Sequence, residues 1–75
     1  MNTTEIDLNR YFVNKNAQPD GIHEVHKDGC RLLPNEKTCI DLGIHMHGIS
    51  AMVKAKFFYQ QSKGCSFCTR GCHIS

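Results

Sequence analysis

Apolar residues gather in a few short groups along this chain, and their spacing changes from one group to the next. Tyr11, Phe12 and Val13 stand together inside the polar run 10–15. Aromatic and β-branched residues bunched in this way predict a first strand. A second strand is predicted over 22–27, where alternation puts His23 and Val25 on one face and Glu24 and His26 on the other. Between them, Gln18-Pro19-Asp20-Gly21 suits a type I turn, so the two strands pair back as a hairpin. Asp28-Gly29 then turns the chain just ahead of Cys30. Residues 30–33 fit one helical turn that Pro34 ends, and 35–37 reads as a polar loop. A third strand is predicted over 38–43, with Ile40 and Leu42 inward against Cys39 and Asp41.

From Gly48 the period becomes helical. No proline interrupts 48–61, and Ser50 is placed to cap the helix. Ala51, Met52, Ala55, Phe58 and Tyr59 share one face, which is assigned to the sheet. Ile49, Val53 and Phe57 form a second stripe on another side. A three-stranded sheet does not cover both, so this stripe packs under the N-terminal segment or the 31–37 loop, or it is a dimer or partner surface. Ser62-Lys63-Gly64 ends the helix and delivers Cys65. The expected fold is α+β: a three-stranded antiparallel sheet, one helix in the C-terminal half, and a Cys/His knuckle.

Composition adds a requirement. Seventy-five residues, 40% of them hydrophobic, make one small domain whose core is marginal without a staple. Residues 1–8 are read as a disordered lead-in and 9–75 as a single metal-binding-type domain. The formal charge of +2, spread over scattered lysines and arginines, neither demands nor excludes nucleic acid. The polar start has no secretory pattern and no window is long enough to span a membrane, so a cytoplasmic location is expected. In a reducing compartment, clustered cysteines serve as metal ligands more often than as disulfides, and an odd count of five points the same way.

The chemistry gathers at two places. His26-x3-Cys30 follows the second strand; Gly64-Cys65-x2-Cys68 follows the helix, with Cys72 and His73 behind it. The two pairs supply one histidine and three cysteines, a tetrahedral set for zinc, one ion per chain. Four protein ligands make a closed, structural site. Cys72 or His73 is an alternate for His26, and the set Cys30, Cys65, Cys68 and Cys72 would also suit an iron–sulfur cluster. The remaining alternative has no cofactor: a disulfide from Cys30 to a tail cysteine, or free buried thiols. The Cys65–Cys68 pair follows a helix instead of opening one, which speaks against a redox dithiol. Cys39 reads as a small buried hydrophobe, His23 as a surface or core histidine, and His45-Met46-His47 as a solvated loop. No paired carboxylates, phosphate loop or nucleophile–base arrangement stands out, so no enzyme is expected.

Two resemblances follow from these residues. Val13-Asn14-Lys15, Ala17-Gln18, His23-Glu24-Val25-His26, Gly29-Cys30 and Gly64-Cys65-x2-Cys68-x3-Cys72-His73 resemble a group of small, uncharacterised bacterial cysteine-rich proteins. The x3 pair, strand, helix and Gly-Cys-x2-Cys also resemble the metal-binding domain of Ada-type DNA repair proteins. There four cysteines hold the metal and one accepts a methyl group from a DNA phosphotriester. The resemblance implies a zinc fold with His26, Cys30, Cys65 and Cys68 as ligands, though the first position here is a histidine. The leading expectation is a non-catalytic, zinc-stabilised binding module for an unknown macromolecular partner, monomeric or weakly dimeric. The alternatives are a nucleic-acid module using Lys54, Lys56, Lys63 and Arg70, and a disulfide-stapled or thiol-reactive protein.

Overall fold

The computed structural model describes residues 8–69. The chain runs β1 (Asn9–Asn14), β2 (His23–Lys27), a single 3₁₀ turn (Glu36–Thr38), β3 (Cys39–His45), α1 (Gly48–Phe58) and β4 (Ser62–Gly64). The class is α+β, with a four-stranded sheet in the order β3-β1-β2-β4. β1 pairs antiparallel with both β2 and β3, so the expected hairpin and third strand are present. The Gly21 amide donates to the Gln18 carbonyl at 2.8 Å, and Gly21 takes φ +86°, which closes the hairpin turn where proline and glycine placed it.

One strand was not anticipated. β4 pairs in parallel with β2, in the register His23↔Ser62, Glu24↔Lys63 and Val25↔Gly64, so the sheet is mixed rather than wholly antiparallel. Ser-Lys-Gly has little strand preference of its own. These residues are held extended by β2, and the pairing continues in the Cys65 amide, which donates to the Val25 carbonyl at 2.8 Å. β4 is what carries the end of the helix back to the end of β2.

Tyr11, Val13, Val25, Leu42, Ala51, Met52 and Ala55 form the core between α1 and one face of the sheet. Leu42 reaches it through a bulge: Asp41 pairs with Phe12 and Gly43 with Tyr11, leaving Leu42 as the extra residue, and Gly43 takes φ +88°. Phe12 and His26 are register partners and lie on the other face. Both are buried, as is Cys39, so the sheet carries apolar side chains on both faces.

The helix is shorter than its sequence pattern suggested. It begins at Gly48 after His47, and Ser50 sits inside the first turn, where its hydroxyl donates to the His47 carbonyl. It stops at Phe58; Tyr59 is extended and stacks on His23, ring centroids 3.7 Å apart and planes 5° apart. Phe58, expected against the sheet, is 48% exposed because the helix ends before that side closes over it. His45 belongs to β3 instead of a loop. Its Nδ1 pairs with Ser50 Oγ and its Nε2 with the Leu42 carbonyl.

Candidate metal centre

β2 and its turn supply the first two groups. His26 is the next-to-last residue of β2 and is 2% exposed. The Cys30 amide donates to the Lys27 carbonyl at 3.0 Å, and Gly29 takes φ +89°, which folds Cys30 back beneath the strand end. β4 supplies the other two. After Cys65 the chain turns tightly: the Thr69 amide donates to the Cys65 carbonyl at 2.9 Å and the buried Thr69 hydroxyl to the same oxygen at 2.5 Å. The turn returns Cys68 to the end of β2, where the Lys27 amide donates to its Sγ at 3.3 Å.

Gly64 makes that approach close. Its φ is not positive, so the backbone freedom that glycine offers is not what the turn uses. A Cβ at this position would run into the Thr69 side chain and the Met52 sulfur. Glycine is needed here because nothing larger fits.

His26, Cys30, Cys65 and Cys68 thus converge, each with one ligand atom within 4.8 Å of the others. His26 Nδ1 lies 3.8 Å from Cys30 Sγ and 4.0 Å from Cys68 Sγ. For metal–sulfur bonds of about 2.3 Å and metal–nitrogen bonds of about 2.0–2.1 Å, a regular tetrahedron has edges of about 3.6–3.8 Å. The cluster would take a four-coordinate ion after a contraction of up to about 1 Å between its most distant ligand atoms. The donor set, one imidazole and three sulfurs, also suits such an ion.

The surroundings fit the same chemistry. Glu24, two residues back on the same face of β2, places Oε1 3.4 Å from His26 Nε2. A carboxylate on that nitrogen favours a proton there and leaves Nδ1 facing the sulfurs as a lone pair. The amides of Lys27 and Phe67 point at Cys68 and Cys65 sulfurs, and such N–H donors stabilise thiolates. Burial lowers the pKa of His26 from its ordinary value, partly offset by Glu24, so the ring stays neutral. Burial, then the hydrogen bond with Cys30, pushes the Cys68 thiol up to about 12, against the Lys27 amide that pulls it down.

The four predicted first-choice ligands are therefore the ones brought together. The alternates Cys72 and His73 lie outside the described residues, as does Arg70. Cys30, Cys39, Cys65 and Cys68 are all free thiols, and Cys39 is buried in β3, outside the cluster. Lys54 and Lys56 sit on α1, whereas Lys63 lies across from Glu24, on the side of the sheet away from the helix. Glu24 was not singled out by sequence reasoning, although its i−2 spacing from His26 on a strand was a usable sign. Arg31 and Phe67, at the tips of the two turns, also meet, with the guanidinium 5.6 Å from the ring centroid. Comparisons with protein-family models, with curated proteins and with solved structures return no match to this chain.

Proposed function

We propose that this protein is a small, non-catalytic binding module closed by one zinc ion held by His26, Cys30, Cys65 and Cys68. The observation that carries the reading is the convergence of four soft and borderline donors within 4.8 Å, from two turns separated by β3 and α1. Zinc suits three thiolates and an imidazole in a tetrahedron, and a site with all four positions filled by the chain is structural. The spacing that resembles Ada-type domains leads to the same four ligands. With a histidine in the first position, Cys65 buried and Cys30 and Cys68 half-buried, the reading favours support of the fold over alkyl transfer. The free thiols of the described residues favour a metal over a disulfide staple, and a reducing, cytoplasmic setting would keep them available.

Native mass spectrometry on protein purified under reducing conditions, with metal analysis of the same sample, tests this directly. One zinc per chain is the expected result. A well-folded, metal-free chain would refute the reading, and a mass lower by two or four hydrogens would replace it with disulfides.

A further inference from the structure

α1 is apolar on both of its sides. Gly48, Ala51, Met52 and Ala55 are buried against the sheet. On the outer side Ile49 is 48% exposed, Val53 49% and Phe57 82%. A helix on the surface of a small domain ordinarily turns a charged or polar face outward. Contiguous large apolar side chains on an outer face mark a docking surface.

The charge around this stripe says what it takes. At 3.6 residues per turn, Lys54 falls on one side of the stripe and Lys56 on the other. α1 carries no acidic residue between Gly48 and Phe58. Neither lysine makes an ion pair among the described residues; Lys56 Nζ donates to the Gln60 and Ser62 carbonyls. A second copy of the chain is a poor occupant, because pairing stripe to stripe sets lysine rim against lysine rim. Ile49 and Val53 of the stripe also line a shallow, open hollow with His47 and Ser50. A concavity next to a protruding Phe57 suits the knobs of another helix better than the even surface of a bilayer.

We infer that the outer face of α1 docks an acidic amphipathic helix of a partner protein. Its apolar residues would lie on Ile49, Val53 and Phe57, and its carboxylates beside Lys54 and Lys56. The inference goes beyond the metal reading and uses none of the metal-site residues.

The test is an amide NMR titration of the folded protein with two synthetic helical peptides of about four turns. Both carry leucines on one face; one has glutamates on the rest of its surface and the other lysines. The glutamate peptide should give saturable shifts confined to α1, centred on residues 49, 53, 54 and 57. Phe57→Ala should weaken it roughly tenfold, as loss of an aromatic anchor does. Lys54→Glu should weaken it too, and added salt should act in the same direction. Equal binding of both peptides, or no shift on α1 at about 1 mM peptide, overturns the inference. So does a Phe57-dependent dimer in sedimentation, or Phe57-dependent binding to vesicles containing phosphatidylglycerol. Metal content, measured on the same samples, keeps failure of this surface separate from failure of the zinc site.

Discussion

At the scale of single residues, Glu24 bears on the site alongside the sulfurs. Its carboxylate holds His26 Nε2 at 3.4 Å, and a ligand histidine fixed in one tautomer binds more tightly than one free to turn. Glu24→Gln keeps the shape and removes the charge, so zinc affinity should fall about 10–100-fold while the loaded protein keeps its fold. A competition titration against a chromogenic chelator measures this; unchanged affinity would leave Glu24 a bystander. The same titration run against pH has a definite sign. Free thiols carry protons and bound thiolates do not, so binding releases protons and affinity must rise with pH. Burial keeps His26 neutral below its ordinary value, so the thiols dominate, Cys68 most of all with its pKa near 12. With three thiols in the cluster, the logarithm of affinity should climb by up to about three per pH unit near neutrality. A flat profile would mean that the sulfurs are not ligands. The spacing of His26, Cys30, Cys65 and Cys68 was readable because ligands recur at short, turn-like separations. Glu24 was readable only as a same-face neighbour of His26, because which of its atoms faces the ring is decided by the fold.

At the scale of elements, strands and helix were legible where apolar residues alternate or recur, and hidden where pairing alone decides. β1 and β2 announced themselves through Tyr11-Phe12-Val13 and the Gln18–Gly21 turn. β4 did not, since Ser62-Lys63-Gly64 becomes a strand only because β2 offers it an open edge. The bulge at Leu42 was equally invisible, although it is what lets β3 keep Leu42 in the core. Gly64 shows how an element's fit can rest on one missing atom. Gly64→Ala forces a Cβ onto Thr69 and Met52, between β4 and α1 and at the root of the second metal turn. Overpacking of this kind costs about 1–3 kcal/mol, and here it should also loosen zinc, because Cys65 follows directly. Thermal melts of the loaded protein, with zinc affinity measured alongside, test both effects. Cys39→Ala is the contrasting case: a buried thiol of β3 outside the cluster, whose truncation should cost on the order of 1 kcal/mol and leave metal binding unchanged.

At the scale of the whole molecule, the site's position matters more than its ligand count. The two turns close a loop that contains β3 and α1, so one ion held by the four residues would tie the first hairpin to the end of β4. Among the described residues the core between α1 and the sheet is small, seven buried side chains, and much of α1's apolar surface faces outward. A domain of this size sits near the limit of what a core can hold alone. Structural zinc contributes on the order of 10 kcal/mol of apparent binding free energy, which is comparable to the whole stability of an ordinary domain. Removing it should therefore unfold the protein as one unit instead of loosening one end. A chelator added under reducing conditions should abolish the helical circular dichroism and the slow amide exchange of β1 and β2 together, and zinc should restore both. Cys65→Ser and Cys68→Ser should reach the same unfolded state without chelator. If the sheet keeps its protection while only the segment after β4 is released, the core holds the fold unaided. The ion would then be a clasp on the second turn alone, not the staple of the domain.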